Sequence, residues 1–235
     1  MPLPRWGRKW TSMNRCPLGL NSLIVATALL GWASPALAAP RPSLNIVVHI
    51  CDDDGIQPNL VSRAQVEMTR IYRDAGVEIA WITDAPQAGG PDDPQASTYP
   101  LLTLVILCRE LTDELTVDAD ALGAAVGTRD YRGRVAYVFY DRVEHIAQTY
   151  LNVSREPGTE DMYTVIVLAH AMAHEIGHLL LPYGHSPTGL MRAEWDAKDL
   201  RLAVNRQLDF TNEEAELIRG QLLARIADTP SPRSN

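Results

Sequence analysis

Two histidines and a glutamate at one spacing carry most of the chemistry that can be read from this chain: His174-Glu175-Ile176-Gly177-His178. Residues four apart share one face of a helix, so His174 and His178 can offer two imidazoles to one metal ion. Glu175, one step around, can reach a water on that metal. This is the layout of a catalytic zinc site in a hydrolase. The flanks agree with a helix: residues 161–169 lead in without Pro or Gly, and Ile176, Leu179 and Leu180 extend an apolar face, as in a buried helix.

Catalytic zinc takes three protein ligands and keeps a fourth position for water, so a third ligand is required. His185 is the nearest candidate. On a continuous helix it would lie about 10.5 Å beyond His178 along the axis, against a Zn–N bond of about 2 Å, so the helix must break first. Pro182 disfavours helical geometry at Leu181, and Gly184 is expected to take a positive φ that turns the chain back. Glu194, Glu213 and Glu214 are alternative third ligands, but no motif surrounds them, and His185 is preferred for its ligand type, its turn and the Gly189-Leu190-Met191 that follows. His170, one turn before His174, has Ala171 where a base would be needed and reads as a buried, hydrogen-bonded partner of the site or the core. His49 and His145 lack ligand-like neighbours and read as structural.

From His174 to Met191 the chain resembles the metzincins, zinc metalloendopeptidases in which H-E-x-x-H-x-x-G-x-x-H precedes a methionine-containing turn. The resemblance implies that His174, His178 and His185 bind Zn2+, that Glu175 is the general base, and that Met191 lies in the turn beneath the metal. It implies a peptide or protein substrate. Two departures stand out: Leu181 occupies the family's glycine position, and His185 arrives one residue late. The Pro182–Gly184 pair reads as a replacement for the missing glycine. No Tyr follows closely on Met191, so the extra tyrosine ligand of some subfamilies is not implied.

The elements that must position these residues follow from periodicity and turn residues. Strands are expected at 44–50, 77–82, 101–108 and 135–140, and helices at about 59–75, 141–150, 161–181 and 212–226, the first ended by Gly76. Residues 123–127 fit either a short strand at the sheet edge or a surface loop. The expected fold class is α/β (α+β), zincin-like: a mixed, mostly parallel sheet with an active-site helix and a small C-terminal helical lobe. The order of elements extends the metzincin resemblance from Leu44 to Met191, and in that family the short strand is the edge above the cleft.

Residues 1–38 read as a secretory signal peptide, with a basic leader at Arg5, Arg8, Lys9 and Arg15, an apolar run, and a small-residue cleavage site ending at Ala38. Residues 39–235 then form one zinc-protease domain, secreted or periplasmic, without a stable membrane anchor. The leader holds four basic residues and no acidic one, so the remainder has 17 Lys+Arg against 29 Asp+Glu, a net charge of −12. That argues against nucleic acid and anionic membrane surfaces as partners. Cys51 and Cys108 are an expected disulfide of an oxidising compartment, with two buried thiols as the alternative. Two other functions fit the motif: an exported zinc-binding or partner-binding domain without turnover, and a zinc amidase acting on a non-protein amide such as a cell-wall peptide.

Overall fold

The computed structural model describes residues 44–52, 56–82, 99–107, 118, 120–126, 133–151 and 159–227. The expected leader over 1–38 and Cys108, with its expected bridge to Cys51, lie outside the described residues.

Strand β1 (Leu44–Asp52) feeds helix α1 (Pro58–Asp74), which returns the chain to β2 (Val77–Ile82) parallel to β1. Pro58 suits the first helical turn, where its missing N–H is no loss, and Gly76 ends the helix at φ 81°, a conformation that glycine adopts without steric cost. Strand β3 (Leu101–Leu107) pairs parallel with β1, and β5 (Val135–Phe139) parallel with β3. The short β4 (Gly123–Val126) closes the sheet antiparallel to β5, giving the order β2-β1-β3-β5-β4. Residues 123–126 are therefore an edge strand rather than a surface loop.

After β5 the chain forms α2 (Tyr140–Ile146), a π-helical turn (Ala147–Leu151), and the long α3 (Thr159–Leu180). A helix absent from the sequence expectations, α4 (Ala197–Val204), precedes α5 (Asn212–Ala227). Its start is fixed by a capping box in which Asp196 and Asp199 satisfy each other's backbone N–H groups. At eight residues it is too short for an apolar repeat to declare itself.

The core lies where α1 and α3 pack on each other and on the sheet. Leu60, Ala64, Met68, Ile71 and Tyr72 line the inner stripe of α1, against Ile46, Val48, Leu102, Leu104 and Val138 from the strands. Helix α5 crosses the ends of both helices: Arg219 donates to the Ala75 carbonyl at 2.7 Å and Arg225 to the Leu179 carbonyl at 2.5 Å. Both guanidinium groups thus meet the negative, carbonyl-bearing end of a helix. No helix among the described residues is long and apolar enough to cross a membrane.

Candidate metal centre

Helix α3 is apolar on nearly every side because it runs through the core, with Val167, Leu168, Ala171, Met172 and Ile176 all fully buried. Burial of the middle of the helix carries His174 inside, while His178 stays half-buried one turn later. Their rings meet edge to face with centroids 4.6 Å apart, and their Nε2 atoms are 3.0 Å apart.

The last helical hydrogen bond runs from Leu181 N–H to the Gly177 carbonyl at 2.8 Å, and Pro182 ends the helix as expected. The turn that follows brings His185 back: its ring centroid lies 4.8 Å from that of His178 and 5.5 Å from that of His174. One potential ligand atom from each of the three histidines falls within 4.8 Å of the other two. The expected positive φ at Gly184 does not occur; among the glycines here, the left-handed one after the helix is Gly189, at φ 77°. The chain reverses over residues 181–184 without a left-handed residue, and the sharp bend falls later. There Arg192 N–H bonds the Gly189 carbonyl at 3.2 Å, and Ser186 N–H bonds the Met191 carbonyl at 2.9 Å. This last bond fastens the segment bearing His185 to the turn bearing Met191.

That turn also holds His174. Its Nδ1–H donates to the Leu190 carbonyl at 2.8 Å, which leaves the Nε2 lone pair facing the other two rings. The same carbonyl accepts the indole N–H of Trp195 at 3.1 Å, and the Trp195 ring stands edge-on to His174 at 5.8 Å. Met191 is fully buried, with its Sδ pressed to the helix at Gly177. Nothing in the sequence alone marks the Leu190 carbonyl, Trp195 or the Gly177 backbone as supports of the site. A main-chain acceptor leaves no residue-type signature, although Trp195 was within reach as a lone aromatic just after the Met191 turn.

Glu175 is buried, and neither carboxyl oxygen has a hydrogen-bond partner in the protein. It lies against the start of the edge strand, where a Cβ on Gly123 would be 2.7 Å from Glu175 Oε1. Burial holds its carboxyl well above the ordinary range. Burial also drives His174 well below its usual value and pushes His178 down to about 3, while His185 is lowered for the same reason. Three neutral imidazoles are the donor state that a metal needs.

A divalent metal fits this arrangement. Tetrahedral Zn–N bonds of about 2.0–2.1 Å place ligand nitrogens about 3.3 Å apart, close to the His174–His178 spacing. The buried Nε2 of His185 lacks a protein partner, and the Glu175 carboxyl lacks a compensating positive charge; a cation among the imidazoles would satisfy both.

The alternative ligands sit elsewhere. His170 is fully buried, bonds the Ile166 carbonyl through Nδ1 at 2.7 Å and stands edge-on to Trp195, outside the three-histidine group. Glu194 and Glu213 are exposed. Glu214 caps α5, accepting the Thr211 N–H at 2.7 Å while the Thr211 hydroxyl oxygen accepts its own N–H at 3.2 Å. His49 lies in β1 with its Nδ1 3.6 Å from the Cys51 sulfur.

Fold and site together define a mixed α/β domain with a three-histidine centre that could hold a metal ion. No family model matches the chain. Among curated proteins, it is 26% identical over 104 residues to coiled-coil domain-containing glutamate-rich protein 1 of Bos taurus and over 103 residues to that of Rattus norvegicus; each match covers 39% of this chain. The matches cover 25% and 26% of those proteins, so the chain spans about a quarter of the length of the curated relatives it matches. Among solved structures it is similar to archaemetzincin from Methanopyrus kandleri, with a TM-score of 0.42 and 19% identity over 78% of this chain and 98% of that one. It is also similar to metalloproteinase-II from Bacteroides fragilis, with a TM-score of 0.36 and 16% identity over 74% of this chain and 56% of that one.

Proposed function

We propose that this chain is an exported zinc-dependent endopeptidase of metzincin type, with His174, His178 and His185 as the ligands, Glu175 as the general base and Met191 as the floor of the site. The observation that carries the reading is Glu175: a buried carboxyl with no protein partner, adjacent in sequence to the first of three converging imidazoles. An unpaired buried carboxyl is expensive to keep and is characteristic of a functional site.

Zinc bound by three neutral imidazoles would lower the pKa of a coordinated water toward about 7 and polarise the scissile carbonyl. The residues of the chain do the rest. Glu175 takes a proton from the water as its oxygen attacks the carbonyl carbon, then gives that proton to the leaving amine as the C–N bond breaks. Leu190 holds His174 in the tautomer that presents Nε2. Gly123 keeps the strand beside Glu175 free of any side chain, so the carboxyl can face the reacting atoms. The outward backbone of β4 is a sheet edge on which an extended peptide can pair. Export rests on the leader sequence over residues 1–38.

The test is digestion of a proteome-derived peptide library by the zinc-loaded protein, with a chelated control and Glu175→Gln beside it. Cleavage by the loaded wild type alone is the expected result, with turnover lowered about 10²–10⁴-fold in the variant. Cleavage that survives in zinc-loaded Glu175→Gln would remove Glu175 as the base. No cleavage of any peptide, with zinc bound, would leave the amidase or the non-catalytic domain in its place.

A further inference from the structure

Arg70 sits on α1, far in sequence from the three histidines, and its side chain is 14% exposed. It donates to Glu67 at 2.7 Å, to Asp74 at 2.7 Å and to Asp209 at 2.9 Å. The first two partners lie on its own helix. Asp209 does not: it belongs to the segment between α4 and α5, which passes beside the Met191 turn. The Asp209 carbonyl accepts the Leu190 N–H at 3.0 Å, and the Leu190 carbonyl accepts the His174 Nδ1–H at 2.8 Å. Leu190 is thereby held on both sides of its Cα, by the Asp209 strap on one side and by the His174 ring on the other. The neighbouring Phe210 presses the same strap home, edge-on to Tyr72 at 5.2 Å and 3.1 Å from where a Cβ on Gly177 would be.

We propose that Arg70 is a positioning residue for the metal centre: its ion pair with Asp209 anchors the strap that sets Leu190, and Leu190 sets the orientation and tautomer of His174. The proposal rests on the reading of His174 as a metal ligand. The physical case is that a charge-assisted hydrogen bond from an arginine side chain held by three carboxylates is stiff and directional. A main-chain acceptor for a ligand imidazole is also only as well placed as the backbone that carries it. Glu67 shares the arrangement, receiving Arg206 at 3.2 Å as well, whereas Asp74 is a half-exposed end partner.

The experiment uses the full chain stripped of metal, with zinc titrated against a chromophoric chelator and the visible spectrum of the cobalt-loaded protein as a second readout of ligand geometry. Arg70→Ala and Asp209→Ala should each weaken zinc binding about tenfold, the low end for loss of an outer partner, and should alter the cobalt spectrum. The double variant should be no weaker than either single one. Asp74→Ala, which removes another partner of the same guanidinium, should leave both readouts unchanged. If Arg70→Ala fails to fold, Asp209→Ala decides, since it keeps the carbonyl to Leu190 and loses only the clamp. Wild-type zinc affinity and cobalt spectrum in Asp209→Ala, or an equal loss in Asp74→Ala, would overturn the proposal. His174→Ala separates the two readings: if it alone loses zinc, the clamp fails and the metal centre stands, and if it binds zinc as the wild type does, the metal reading fails and the clamp fails with it.

Discussion

Gly177 and Met191 share a space that only one side chain can fill: a Cβ on Gly177 would lie 2.6 Å from Met191 Sδ. The glycine between the two helical histidines thus lets the buried methionine reach the helix backbone. Gly177→Ala should therefore destabilise the metal-free protein, because overpacking costs about 1–3 kcal/mol and exceeds the roughly 1 kcal/mol that alanine gains over glycine in a helix. In a Met191→Ala background the same change should cost less, with the edge of the Phe210 ring, 3.1 Å from the new Cβ, as the remaining close contact. Urea denaturation of the four proteins of this cycle measures the coupling, and an equal effect in both backgrounds would exclude the contact as its cause.

Gly123 makes the corresponding allowance for Glu175. A Cβ there would be 2.5 Å from the Tyr137 carbonyl oxygen, 2.6 Å from Glu175 Cγ and 2.7 Å from Glu175 Oε1. Gly123→Ala should push β4 off the Tyr137 main chain as well as displace Glu175, so turnover should fall by at least about 10²-fold, the loss expected when a catalytic group is displaced by about 1 Å, and zinc affinity by much less. Zinc titration beside peptide-cleavage rates tests this, and loss of zinc in proportion to activity would point to a disturbed fold instead.

The third ligand is tested by ranking. His185→Ala should weaken zinc binding most, by more than about 100-fold. His170→Ala, which removes a ring packed on Trp195, should fall within the range of about 10–100-fold or less seen for outer partners, and Glu194→Ala should change little. Titrations of the three variants at one pH give the order. Wild-type affinity in His185→Ala with a loss in either of the others would end the metzincin-type reading.

On the proposed reading zinc should also stabilise the fold, since it would bind the assembled imidazoles in preference to the unfolded chain. At free zinc about 100-fold above Kd the gain is about 2.7 kcal/mol, roughly 5–10 °C in Tm for a domain of this size. Thermal unfolding with zinc and with chelator should show that difference in the wild type and not in His174→Ala.

The helical residues of the candidate site were legible in the sequence because their chemistry is tied to residue type and helical spacing: His174, Glu175 and His178 needed only the 3.6-residue repeat. His185 needed Pro182 as well, and the helix does stop there. The turn chemistry was legible only in part, since several glycines were available and the left-handed one proved to be Gly189 rather than Gly184. Residues 123–126 were ambiguous because Gly and Ala carry little strand signal; pairing of Gly123 with Val138 and Val126 with Val135 decides the matter. What supports the site was not legible. The Leu190 carbonyl belongs to any residue, and the contact between Arg70 and Asp209 spans 139 positions, where spacing carries no information.

The buried hydroxyl of Tyr72 donates to the Ala173 carbonyl at 3.0 Å, across 101 positions of chain. Joining α1 to α3 therefore requires closing a long loop, an entropic toll that is met before the contact returns anything. All three imidazoles and the Leu190 carbonyl, by contrast, fall within residues 174–190, a stretch short enough to be made as a peptide. Such a peptide would hold every donor and lack α1, which packs on the helix that bears His174 and His178. Its zinc affinity should fall short of that of the whole chain, and the difference would measure how much of the centre is made by distant parts of the fold arriving late.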